Sequence, residues 1–431
     1  MKGKGRSRLI EWGKTLLIIL LAISAVYLLG KTQFSEDILD SVKSFVAGAS
    51  SEKEEGRTEQ AQPTAVYPMQ IAMNLEDGQR YGVQYNLNET ETVFSSFSTL
   101  LSEALSSAGT PQKISEQQWR SNIREVGIYL DFYYPIPLTV LAGRLGEGQS
   151  ETVVPDAVRR LCLSAGNDDS VSLLYINEHD GAFYSCTTTL SREIHLAPVL
   201  DGQSANGAMF AFEVPGMEHV APYMLLTTTP QPVKYQSVNP LQTENDRISE
   251  LLSALLFQPR GSELDPVAGG LHVEGNDSLR LFENGMLTFH TIGDTDFRFL
   301  LSEDSVQSAL DYTQELANAT VGKWCGEAGL RLAGVQESSD GIEVLFQYCL
   351  NGIPVDLPEG NMAARFVVRN GAVTDFSLYF RSYTATEETT LILPERQAAA
   401  ALDALAGQGN ELVLLYRDIG GEVVSAGWIA K

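Results

Sequence analysis

Hydrophobic and polar positions follow three different rhythms along the chain. Residues 15–30 (TLLIILLAISAVYLLG) run without a charge between Lys14 and Lys31. Apolar side chains cover every face of that segment, which predicts a helix surrounded by apolar material on all sides. At 1.5 Å per residue it spans about 24 Å, and Trp12, Tyr27 and the two lysines at its margins complete the crossing of a ~30 Å hydrocarbon core. A cleaved signal peptide is the competing reading, with 16–21 as its apolar core and Ala22 and Ser24 before the cut. The apolar run continues through 26–29, which favours a retained anchor. Residues 34–45 then place Ile38, Leu39, Val42 and Phe45 near helical spacing, and 48–64 (GASSEKEEGRTEQAQPT) have nothing to bury and read as a linker.

From residue 65 onward, strand and helix periods alternate. Residues 67–75 and 81–85 read as strands. In 92–108, Val93, Phe97, Leu100, Leu101, Ala104 and Leu105 share one helical face, and Gly109 stops the helix. Residues 127–134 (GIYLDFYY) predict an aromatic strand ended by Pro135 and Pro137, and 171–176 with 182–187 flank the hairpin turn Asp180-Gly181. Thr243 is placed to cap a helix carrying Ile248, Leu251, Leu252, Leu255 and Leu256. Residues 279–282 and 286–290 flank Asn284-Gly285, and a helix after Ser302 is expected to hold Glu303 and Asp304 in its first turn. Strands follow over 342–350, 364–368 and 373–380, the last two joined by Asn370-Gly371. Pro394 opens an alanine-rich helix, and 412–417 and 423–429 close the chain as strands.

Helices mixed with tight hairpins predict the α+β class: a single N-terminal transmembrane helix followed by a two-unit ectodomain of antiparallel sheets with packed helices. The expected organisation is a cytoplasmic basic head over 1–14, a transmembrane anchor over 15–30, and a juxtamembrane helix with a disordered linker over 31–64. The two α+β units are expected over 65–237 and 238–431. An internal duplication is a further expectation. Cys162 and Cys186 have the same spacing as Cys325 and Cys349, and each second cysteine ends a strand that follows an Asp-Gly turn.

Charge sharpens this picture. The 431 residues carry a formal net charge of -25, which excludes a nucleic-acid partner that would need clustered Lys and Arg. The basic residues concentrate ahead of the apolar run (Lys2, Lys4, Arg6, Arg8, Lys14), so the positive-inside rule puts the N-terminus in the cytoplasm. The expected location is therefore the cell membrane, single-pass, with the main domain outside.

Candidate chemistry is sparse. Four cysteines outside the membrane allow the disulfides Cys162–Cys186 and Cys325–Cys349, with four buried free thiols as the alternative. The five histidines form no metal-binding spacing, and Glu178-His179-Asp180 precedes Gly181 at a hairpin tip, where a solvated turn accounts for it. No G-x-S-x-G elbow, phosphate loop, dinucleotide fingerprint or calcium loop occurs. No catalytic residue, metal ligand or cofactor is assigned, and a non-enzyme is expected. Trp119, Tyr133 and Tyr134 are candidates to line a groove, with core packing as their other use.

The layout resembles the YycH and YycI regulators of Gram-positive bacteria. The resemblance is carried by 118–145 (QWRSNIREVGIYLDFYYPIPLTVLAGRL), 278–289 (SLRLFENGMLTF), 341–357 (GIEVLFQYCLNGIPVDL), 361–383 (NMAARFVVRNGAVTDFSLYFRSY) and the closing segments 391–405 and 411–431. It implies a membrane accessory protein of a two-component system, acting on a WalK-type (YycG) sensor histidine kinase that governs cell-wall metabolism, together with a YycI-like protein. It also implies that the anchor meets the kinase helices, which assigns that contact to Leu17, Leu20, Leu21, Ser24, Ala25 and Leu28. An extracytoplasmic binding module for a wall fragment or another protein is the alternative, and a carboxylate-based wall hydrolase a third reading.

Overall fold

The computed structural model describes residues 66–431, apart from 77, 147–155, 167, 243–244, 259–269, 294–296 and 403–408. The head, anchor, juxtamembrane helix and linker expected over 1–64 lie outside these residues. Among the described residues no helix is long and apolar enough to cross a membrane.

The first sheet has seven antiparallel strands: β1 (Gln70–Asn74), β2 (Arg80–Gln84), β3 (Gln112–Ile114), β4 (Gly127–Pro137), β5 (Ala157–Ala165), β6 (Ser170–Asn177) and β7 (Phe183–Ser191), in the order β2-β1-β4-β5-β6-β7-β3. Helix α1 (Leu87–Ser106) covers one face. It starts five residues ahead of the expected 92, because the Asn86 side chain accepts a hydrogen bond from the Glu89 N–H and so caps an earlier turn. Its buried stripe is the expected one (Val93, Phe97, Leu100, Leu101, Ala104, Leu105) with Phe94 added. On the opposite face, α2 (Glu116–Asn122) is started by a capping box between Ser115 and Gln118. It drives Trp119 into a smaller apolar cluster with Tyr129, Cys162, Leu174, Phe210 and Tyr223. Strand β4 runs through Pro135 to Pro137 instead of stopping there. The register slips between Asp131 and Ile136, so neither proline has to donate to the ladder. Two shorter helices, α3 (Leu138–Leu145) and α4 (Ala197–Leu200), and the small pair β8 (Met209–Phe210) with β9 (Leu225–Leu226) complete this part.

The second sheet has twelve strands: β10 (Val233–Val238), β11 (Leu271–Glu274), β12 (Asp277–Leu281), β13 (Met286–Thr291), β14 (Gly329–Ser338), β15 (Gly341–Leu350), β16 (Ile353–Asp356), β17 (Ala364–Arg369), β18 (Ala372–Tyr379), β19 (Ser382–Thr389), β20 (Leu412–Arg417) and β21 (Val423–Ala430). Their order is β11-β12-β13-β18-β17-β15-β16-β20-β21-β10-β19, with β14 added beside β15. Among the described strands, β16–β20 is the parallel pair and the rest are antiparallel. Helix α5 spans Asn245–Ala254, α6 spans Val306–Ala319 and α7 spans Glu395–Ala400. Ser305 caps α6, so Glu303 and Asp304 precede the helix and leave its first turn without an acid, contrary to expectation.

Layering follows from which faces are apolar. Helix α1 covers the first sheet, α6 covers β14, β15 and β17, and α3 touches both helices. One apolar cluster runs through all of them, from Ile71 and Leu130 to Phe346 and Phe366. Residues 62–431 accordingly group as one unit. The architecture is α+β with antiparallel sheets.

Candidate functional site

A buried charge cluster lies where the first sheet meets the C-terminal strands. Asp131 sits mid-strand in β4 and is 1% exposed. Between Val158 and Leu161, β5 holds one residue more than its partner β6, and this bulge lets the neighbouring Arg159 and Arg160 turn toward the same carboxylate. Arg159 donates to Asp131 from Nε at 2.8 Å and from a terminal nitrogen at 3.1 Å, and Arg160 Nε donates at 2.9 Å. Both guanidinium groups also donate to Glu411, just ahead of β20. The Tyr133 N–H donates to Asp131 at 2.8 Å from a left-handed backbone, φ 70°. Lys431, which follows β21, donates to the Tyr133 hydroxyl at 3.0 Å and lies 4.2 Å from the centre of its ring.

Electrostatics here hold charge rather than poise it. Burial alone would raise the Asp131 carboxyl, but Arg159 and Arg160 outweigh it and keep it below the usual carboxylate range. Arg159 is likewise held charged: Asp131 and Glu411 overcome its desolvation. Burial, reinforced by Arg159, lowers the Lys431 ammonium. Two acids and two arginines balance, and the ion pairs hold Asp131, Arg159 and Arg160 in their charged forms. Its geometry fastens β4 and β5 to the C-terminal strands.

Beside this cluster Tyr133, Tyr134, Tyr67, Arg331 and Cys349 line a cavity of about 20 Å³, room for a water and no organic ligand. Two wider grooves are open to solvent. In one, Phe212 stacks on Phe210 and lies under the guanidinium of Arg124 at 4.7 Å, with Arg120 at 5.5 Å. Both arginines already face carboxylates, Glu116 and Glu213. The other is bordered by Asp304, Glu337, Asp340 and Arg369. No group of three or more His, Cys, Asp or Glu able to hold a metal occurs among the described residues.

The residues singled out in the sequence end in different places. The anchor positions Leu17, Leu20, Leu21, Ser24, Ala25 and Leu28 lie outside the described residues. Trp119 is fully buried in the core, whereas Tyr133 and Tyr134 line the small cavity. All four cysteines are buried and free. Cys162 stands opposite Leu174 and Cys186 opposite Leu173. Adjacent residues of β6 face opposite sides, so the two thiols project to opposite faces of the sheet and the expected Cys162–Cys186 bridge cannot close. Cys325 donates instead to the Ala328 and Gly322 carbonyls at 2.8 and 3.0 Å, and Cys349 borders the cavity. Four buried thiols replace the expected pair of disulfides. The duplication fails at the same residues: Cys162 is in a strand, while Cys325 follows a 3-10 turn. Asp131, Arg159, Arg160 and Glu411 were not singled out in the sequence, though charges inside the apolar runs GIYLDFYY and AVRRLCLSA were a signal for them.

No family model matches the chain, and no curated protein matches its sequence. Among solved structures the chain is similar to the crystal structure of YycH from Bacillus subtilis. The TM-score is 0.52 and the identity 12%, over 87% of this chain and 96% of that one. At that identity the likeness shows the fold: the described chain has a YycH-like architecture.

Proposed function

We propose that the protein is a non-enzymatic accessory regulator of a two-component system, held in the membrane by residues 15–30 and acting on a sensor histidine kinase. The observation that carries the reading is the YycH-like fold spanning nearly the whole of the compared chain. Two sequence features support it: the apolar run behind a basic head, and the family-like stretches at 278–289, 341–357 and 361–383. The finer reading is a WalK-type kinase, with a YycI-like protein as second partner.

In this reading the ectodomain binds and the anchor helix contacts the kinase. Regulation then follows from differential affinity: the accessory protein favours whichever kinase state it binds better. The polar linker over 48–64 makes the two parts act through tethering and local concentration. The test is crosslinking in cells of the full-length tagged protein, beside a version whose residues 15–30 are replaced by an unrelated membrane helix. A histidine kinase captured with the native anchor and lost with the replacement is the expected result. Equal capture by both moves the contact to the ectodomain. Capture of wall-associated proteins without a kinase overturns the reading in favour of an envelope binding module.

A further inference from the structure

Strand β2 is an edge of the first sheet, and side chains from elsewhere in the chain close it. The Gly82 N–H donates to the Asn206 side chain at 2.9 Å, and Asn206 donates back to the Gly82 carbonyl at 2.7 Å. Two residues on, Gln84 Nε2 donates to Glu395 at 2.8 Å and ties the same strand to α7. That helix stands between β19 and β20 in the chain, both strands of the second sheet, so it reaches across to the first. The other Glu395 oxygen accepts from the Thr227 N–H at 2.7 Å, just past β9, and the Glu395 N–H donates to the Thr229 hydroxyl at 2.9 Å. At the far end of the helix, His219 Nε2 lies 3.0 Å from the Ala399 carbonyl. Three of these four bonds to α7 belong to Glu395. Six residues make too few internal bonds for a helix to persist unaided, so α7 depends on this attachment.

The attachment is a buried carboxyl group. Gln84, Thr227 and Thr229 around it are neutral. Tyr85, beside Gln84, is a phenol that burial keeps protonated. Among the described residues, Arg396 is the cation that acts on the carboxyl. It is exposed and directs a terminal nitrogen to the Met209 sulfur at 3.6 Å, so water screens what it offers. His219 faces the opposite end of the helix. Gln84 Oε1 is buried with no donor, and a protonated Glu395 adds a polar hydrogen beside it. Burial outweighs the hydrogen bonds and Arg396, and pushes the carboxyl up to about 8.

We propose that Glu395 makes α7 a proton-controlled clasp between the two sheets: the protonated carboxyl holds the helix against β2, and losing the proton frees it. Ionisation leaves a charge among neutral donors, and opening the helix gives that charge to water. Closed α7 keeps the proton up to about pH 8, whereas in the open helix the carboxyl has its ordinary value near 4.5. Closure is therefore fully favoured below about pH 4.5, weakens as pH rises, and is weakest above about pH 8. The sheets stay joined through α1, α3 and α6 when α7 lifts, so the opening is local.

Hydrogen exchange of the full-length chain in detergent micelles, read by mass spectrometry and corrected for its intrinsic pH dependence, tests this. In wild type the opening constant of residues 396–402 should rise about tenfold or more from pH 5 to pH 8. Peptides of β4 should stay protected, and urea too dilute to unfold the chain should leave the rise unchanged. Glu395→Gln should remove the rise, with its thermal midpoint showing that the variant folds. Thr229→Val should instead raise opening equally at every pH, because the bond it removes does not depend on the carboxyl charge. A wild-type α7 whose opening is the same at pH 5 and pH 8 overturns the proposal with no variant needed. A rise that persists in E395Q, or α7 peptides that exchange only together with β4, overturn it as well.

Discussion

Glu395 is 2% exposed, and the adjacent Arg396 offsets only part of the cost of burying its carboxylate. One carboxyl oxygen accepts from Gln84 Nε2 at 2.8 Å and the other from the Thr227 N–H at 2.7 Å. Burial dominates over these bonds and pushes the carboxyl up to about 8. The folded chain thus holds this proton more tightly than the unfolded chain, whose carboxyl has its ordinary value near 4.5. Its contribution is fully present below about pH 4.5, falls as pH rises, and is gone above about pH 8. Replacing Glu395 by Gln should flatten that part of the profile and raise stability at pH 8 by on the order of 1–3 kcal/mol. Denaturant midpoints of both chains at pH 5 and pH 8 check this; an unchanged difference between the two pH values in E395Q would count against it. The thiols offer a second residue-scale test. Burial pushes Cys162 up to about 12 and Cys186 up to about 11, so thiolate is scarce and access is closed. A thiol reagent should label none of the four cysteines in the native chain and all four after unfolding without reductant, whereas intact disulfides would leave them unlabelled in both.

Elements were legible where their signals are local. The turns Asp180-Gly181, Asn284-Gly285 and Asn370-Gly371 each join paired strands, and Gly181, Gly285 and Gly371 have the positive φ such turns require. The stripe of α1 followed from helical spacing alone. Strands β14 and β16 were not legible: β16 has four residues, and the bulge in β14 breaks its alternation. The charge cluster escaped for a different reason. Its members come from positions 131, 159–160 and 411, and a strand bulge brings the two arginines to one side. No short-range pattern encodes either fact. Edge capping is also non-local, and it can be tested. Asn206→Ala removes both hydrogen bonds to Gly82, which should cost about 1–2 kcal/mol. Amide exchange at Gly82 should speed up relative to its neighbours in β1. Wild-type exchange at that amide in N206A would show that the edge is closed by packing, for instance by Ala208, whose Cβ lies 2.5 Å from where a Gly82 Cβ would stand.

At the scale of the molecule, the question is whether two large sheets unfold together. Their apolar residues belong to one cluster that passes through α1, α3 and α6. The ion-pair cluster adds a second tie, since Asp131, Arg159 and Arg160 stand in the first sheet and Glu411 joins the C-terminal strands. Neither sheet can lose its inner face without exposing the other, so cooperative unfolding is expected. Two tryptophans report on the two regions: Trp119, fully buried on the outer face of the first sheet, and Trp428 in β21, whose indole N–H donates to the Leu393 carbonyl at 2.9 Å. Variants retaining one or the other should show coincident urea midpoints. Asp131→Asn strands two buried guanidinium groups with Glu411 alone, and should lower both midpoints together by about 3–5 kcal/mol of stability. If D131N instead moved the Trp119 transition and left that of Trp428 in place, the sheets would be separate cooperative units joined at a sacrificial contact. The chain would then have a hinge at that contact, between β5 and β20, and two conformational states.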